Sequence, residues 1–215
     1  MINSLFSGNF DIANWLYNIV CLIPGIVIGL SLHEFAHAKV ADLCGDPTPR
    51  MMGRVTIDPR AHVDPIGIAC LLLLHFGWGK PVLVNPNNFR NRRRDSLLVS
   101  IAGVTMNLIV GVISGLILRF CLRSGAIEFF LTKSGGIVFD MMYYLVYINF
   151  SLMLFNLLPV PPLDGFNACR AIFDIDGTKL MKYGSAILII LIIFNIPSLI
   201  LSRPLAFLVN TIVFR

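Results

Sequence analysis

Twelve apolar or small residues, Cys21 to Leu32, run directly into three ionisable side chains within five positions: His33-Glu34-Phe35-Ala36-His37. That junction restricts the chain more than any other feature. An ionisable group at membrane depth costs about 2.5 kcal/mol or more, so three together must be paired or bind something. Whether the run lies in a membrane is decided by composition. Only 13% of the 215 residues are charged and 56% are hydrophobic, against roughly 25% charged in an average soluble domain. A soluble fold of this kind would expose apolar patches larger than monomers tolerate. The same figures exclude intrinsic disorder, which needs few apolar residues and much net charge. The chain reads as an all-α polytopic membrane protein of four to five transmembrane helices.

Spans are expected at about 12–41, 97–118, 137–158 and 185–201, within a single membrane-embedded domain over 1–215. Residues 12–41 exceed what a hydrocarbon core of about 30 Å requires, so the last turns should approach the surface, with a kink at Pro24. The apolar run 65–76 is too short to span. Gly79, Pro81 and Pro86 then break any helix, which makes 65–84 a re-entrant, β-hairpin-like segment with Pro81 to Val84 extended. The final fourteen residues stay undecided. The first fifteen contain no Lys or Arg, so no cleavable signal peptide is expected. Five scattered cysteines without a C-x-x-C pair predict neither a disulfide framework nor a thiolate metal site.

His33-Glu34-Phe35-Ala36-His37 has the form H-E-x-x-H. On a helix, positions i and i+4 share a face, so both imidazoles reach one metal ion. Glu34 is offset by one residue, where a general base for a metal-activated water belongs. Zinc suits imidazole and carboxylate ligands and has no redox chemistry. Two histidines leave the site incomplete. Asp164, in Pro159-Val160-Pro161-Pro162-Leu163-Asp164-Gly165, is the expected third ligand, aimed into the bundle by a stiff, proline-rich turn.

Topology supplies a check. The H-E-x-x-H end of the first span and Asp164 meet only if an even number of crossings separates them. That holds when 65–76 does not cross. Twelve of the 17 Lys and Arg then fall on the site's side, which places the site near the cytoplasmic face of a cell membrane. The net charge of +5 is explained in this way, and no nucleic-acid partner is expected.

These motifs resemble the site-2 protease family of intramembrane zinc metalloproteases, in its short bacterial or archaeal branch without PDZ or CBS domains. Besides the two site motifs, the likeness extends to Gly53–Pro59, His62–Gly67 and Lys80–Asp95, and covers roughly residues 12–200. It implies that His33, His37 and Asp164 bind zinc, that Glu34 activates water, and that a substrate's transmembrane helix is cleaved near the cytosol, as in regulated intramembrane proteolysis. Where that family has A-G-P-x-x-N, this chain has Ala102-Gly103-Val104-Thr105-Met106-Asn107. Asn107 and Asn156 match positions where the family keeps an asparagine. Each is read here as a substrate contact, or as a plain interhelical hydrogen bond worth about 1 kcal/mol. The extended Pro81–Val84 segment is a candidate for strand addition to an unwound substrate.

His62 is expected on a surface loop, or as a group oriented with Asp64 to support a ligand, and His75 at the membrane interface. Three other readings stay open: a zinc transporter using the same ligands, a catalytically inactive homologue, and a membrane-anchored zincin with Glu128 as its third ligand.

Overall fold

The computed structural model describes residues 11–74 and 77–215, and among them the chain is helical with no β-strand. Among the described residues, four helices are long and apolar enough to cross a membrane. Helix α1, Ile12–Leu43, is about 48 Å long at 1.5 Å per residue. Its N-terminus is capped by Asp11, which accepts hydrogen bonds from the Ala13 and Asn14 amides at 3.0 and 3.2 Å. The helix runs on through Pro24 without interruption. Helix α2, Pro65–Leu74, has ten residues, about 15 Å, half of what a span needs. Helix α3, Arg92–Arg123, starts from an Asn91 cap, and helix α4, Lys133–Asn156, from a Thr132 cap.

Helices α1, α3 and α4 pack against one another. Where α1 meets α4, Gly25 removes the side chain: a Cβ there would lie 3.1 Å from the Leu145 Cα and the Tyr144 carbonyl oxygen. Small residues admit such close backbone approach, the commonest device for joining helices in lipid. Hydrogen bonds add to this seam, Tyr17 donating to Asp140 at 2.5 Å and Tyr144 to Asn18 at 3.0 Å. A second apolar core, built on Leu118, Val146, Phe150 and Val209, ties α3 and α4 to the C-terminal helix. Val104 belongs to this core, and α3 continues through it as regular helix.

The C-terminal region departs from the expected span at 185–201. Helix α5, Asp164–Phe173, is followed by α6, Gly184–Ile193, which has only ten residues. The chain then breaks at Asn195, which adopts a left-handed conformation (φ 55°). Helix α7, Ile196–Val209, begins there and continues as a π-helical turn, Asn210–Phe214. The fourth candidate span is therefore Ile196–Phe214. Pro197 starts this helix instead of ending the previous one, because a proline at the first helical positions gives up an N–H that has no partner anyway.

Across 65–84 no strand pairing forms among the described residues, but the chain returns beside α2, with the Trp78 backbone against Gly67 and the Lys80 amide donating to the His62 carbonyl at 2.7 Å. Pro81–Val84 is extended but belongs to no strand ladder. His75 lies outside the described residues.

Candidate metal centre

His33 and His37 sit one turn apart on α1, ten and six residues before its end at Leu43, and both are buried. Their Nε2 atoms are 3.0 Å apart. The proline-rich turn after α4 brings Asp164 to the first position of α5, with its Oδ2 at 3.2 Å from each Nε2. Among the described residues this is the one group of three such side chains able to share a metal ion. A tetrahedral zinc ion with bonds of about 2.0–2.1 Å separates its ligands by about 3.3 Å, so a triangle with 3.0–3.2 Å edges fits three ligands and leaves a fourth position open. The meeting of His33 with Asp164 also requires two crossings between them, and α3 and α4 provide these.

The far side of each imidazole is fixed. His37 Nδ1 donates to the Val99 carbonyl at 2.7 Å. His33 Nδ1 donates to the Asn107 Oδ1 at 2.8 Å. With the proton on Nδ1, each Nε2 presents its lone pair toward Asp164. Two lone pairs and a carboxylate converging at this distance repel unless a cation lies among them, so the donor set itself fits a metal. Metal-ligating histidines commonly have their other ring nitrogen held in this way.

Helix α3 passes directly beneath the pair. A Cβ on Gly103 would lie 2.4 Å from His37 Nε2 and 2.5 Å from His33 Cε1, so only glycine lets α3 bring Val99 and Asn107 to the two rings together. Asn107 is 1% exposed and makes an interhelical hydrogen bond to a ligand. It is not among the residues that border the cavity beside the centre, and its bond to His33 supports the interhelical reading of this residue.

A cavity of about 1090 Å³ opens beside the centre, bordered by Glu34, Pro81–Val84, Asn156 and Arg170. Glu34 Oε2 accepts a hydrogen bond from the Val82 amide at 3.0 Å. Asn156 lines the cavity while its Nδ2 donates to the Leu152 carbonyl at 3.0 Å.

The extended segment is itself clamped. Asp46, fully buried, accepts from the Thr48 amide and hydroxyl, the Asn85 amide at 2.7 Å and the Asn88 side chain at 2.8 Å. Sequence reasoning passed over Asp46, although an Asp two residues before a Thr is an ordinary turn signal. It also missed Val99, whose carbonyl leaves no mark in a side-chain pattern.

Two peripheral expectations change. His62 is fully buried, with Nε2 donating to the Thr56 carbonyl at 2.7 Å, and it packs the loop instead of lying on its surface. Asp64 accepts from Trp78 and the Ile66 amide, so it orients no ligand. Glu128 follows the end of α3, at least sixteen residues beyond Asn107, about 24 Å along the helix. It cannot complete the histidine pair.

Comparison with known proteins gives one family match, to peptidase family M50, over residues 21–196. The chain is 36% identical over 199 residues to YwhC of Bacillus subtilis (strain 168), named as a candidate zinc metalloprotease, covering 87% of this chain and 88% of that one. It is 28% identical over 188 residues to Rip2 of Mycobacterium tuberculosis (strain H37Rv), named in the same way, covering 84% of this chain and 68% of that one. No solved structure matches.

Proposed function

This chain belongs to peptidase family M50, and from that membership we propose how a multi-pass membrane zinc metalloprotease assigns its work to these residues. His33, His37 and Asp164 hold the zinc. The observation that carries the assignment is the 3.0–3.2 Å triangle of two Nε2 atoms and one carboxylate oxygen. Bound zinc would polarise a carbonyl and lower the pKa of a water.

The protein's own groups do the rest. Val82 N–H fixes one oxygen of Glu34, and the carboxylate takes a proton from the attacking water and returns it to the leaving amine. Asn107 and the Val99 carbonyl hold the imidazoles in the ligating tautomer. Asn156, on the cavity wall, serves as a hydrogen-bonding contact for the substrate backbone. The substrate is a transmembrane segment that unwinds locally, because a helical carbonyl is already hydrogen-bonded and shielded. The extended Pro81–Val84 segment lines the cavity and receives the unwound strand by backbone pairing. One domain over 1–215 carries all of this, with 65–84 re-entering the membrane from the site's side. The excess of Lys and Arg on that side supports a cytoplasmic-proximal site.

The test is metal analysis of purified wild-type and Asp164→Ala protein beside cleavage of a single-span substrate. One zinc per chain in the wild type, and loss of both zinc and cleavage in Asp164→Ala, is expected. Full zinc retention by Asp164→Ala would overturn the ligand assignment.

A further inference from the structure

We infer that the outer seam between α1 and α3 is a binding site for an anionic phospholipid. A groove of about 350 Å³ runs along this seam, floored by Phe35, Ala36 and Val40 of α1 and by Leu98, Ala102 and Ile109 of α3. Its α3 wall is one helix face, since 98, 102, 105 and 109 recur every three or four residues. Thr105 keeps that face apolar, because its hydroxyl is turned back to the Ile101 carbonyl at 2.8 Å.

Both ends of the pattern that continue toward the helix termini are cationic. Lys39 lines the groove on α1. Arg94 lies one turn before Leu98 on the same face of α3. Both are exposed, and neither side chain has a hydrogen bond or ion pair among the described residues. An apolar trough with Lys39 in its lining and Arg94 one turn beyond Leu98 at the same end is complementary to an acyl chain carrying an anionic head. Lys39 lies four residues from the end of α1, about 6 Å along the axis, within the last turn or so before the polar surface. Charge separates the two occupants a membrane offers: an anionic headgroup meets the cations at the end of the trough, whereas an apolar substrate helix brings them no counter-charge.

The site backs directly onto the metal centre. The inner side of the same α1–α3 seam carries the His33–Asn107 and His37–Val99 hydrogen bonds. This inference rests on membrane embedding alone, and its test does not depend on proteolysis.

Purified protein is exchanged into nanodiscs of phosphatidylcholine containing a minority of phosphatidylglycerol, and the lipids that remain bound on release are counted by native mass spectrometry. The wild type is expected to retain phosphatidylglycerol preferentially. A juxtamembrane cation contributes a factor of about five toward an anionic surface, so Lys39→Gln with Arg94→Gln should lower the preference by roughly 25-fold. Thr105→Trp, which leaves both cations in place and fills the trough, should release the retained lipid. Zinc content equal to wild type verifies that the variants are folded. A wild type that retains both lipids in proportion to their abundance overturns the inference without any variant. So does an undiminished preference in the double variant, or capture of a single-span substrate helix, in place of lipid, by a photocrosslinker at position 105.

Discussion

Replacing Asn107 with leucine separates ligand orientation from folding. Asn107 Oδ1 accepts the His33 Nδ1 proton at 2.8 Å, while its Nδ2 is buried with no partner. Leucine has nearly the same volume, so no cavity opens. The substitution loses one hydrogen bond, worth about 1 kcal/mol net, and leaves His33 Nδ1 unpaired. It also removes an unsatisfied amide whose burial costs about 1–3 kcal/mol. These contributions oppose, and the unfolding free energy of the metal-free protein should move by no more than about 1 kcal/mol. Zinc affinity behaves differently. His33 loses the group that fixes its tautomer and ring orientation, a change that typically weakens metal binding 10–100-fold, or about 1.4–2.7 kcal/mol. Competitive chelator titration gives the zinc Kd, and chemical unfolding in detergent with and without zinc gives the two stabilities. A Kd within twofold of wild type refutes the proposed role of Asn107. A large loss of stability without zinc would instead make Asn107 a general packing element.

Two further outcomes follow from the same geometry. Asp46→Ala leaves the Asn85 amide and Asn88 side chain without their acceptor and should cost about 3 kcal/mol, read by unfolding and by faster hydrogen exchange at residues 81–88. Burial alone would raise the Asp46 carboxyl, but hydrogen bonds from Thr48, Asn88 and Asn85 outweigh it and hold it below its ordinary value. Its contribution to stability is therefore present above about pH 4 and lost as pH falls through the lowered value, so the acid limb of a stability profile should flatten in Asp46→Ala. Gly103→Ala puts a methyl group 2.4 Å from His37 Nε2. It should cost about 1–3 kcal/mol through overpacking and most of the bound zinc, measured by metal analysis. Full zinc occupancy would mean that α3 can shift without harm.

The candidate site is legible because each residue contradicts its surroundings: two histidines and a glutamate after an apolar run, and a carboxylate in a rigid proline turn. Membrane embedding was legible for a related reason, since charge is too sparse to cover a soluble surface. What remained hidden was mostly backbone. The carbonyl that holds His37 belongs to a valine, and the amide that holds Glu34 belongs to another valine. Neither residue type marks the role. The error at the C-terminus has a different origin. Pro197 reads equally as a stop or as a first helical residue, and Asn195 decided it by taking up the left-handed conformation, which asparagine tolerates better than most residues. His62 was misplaced because polar neighbours in sequence suggested exposure, whereas the loop folds back over it.

In the proposed chemistry Glu34 moves the proton while His33, His37 and Asp164 only hold the metal. Zinc stoichiometry and single-span substrate cleavage, measured on the same preparation of Glu34→Gln, test it most directly. One zinc per chain is expected, as in the wild type, with cleavage reduced by at least about 100-fold, the lower end of what a positioned general base contributes. Cleavage by that variant at the wild-type rate, with its zinc in place, would contradict it.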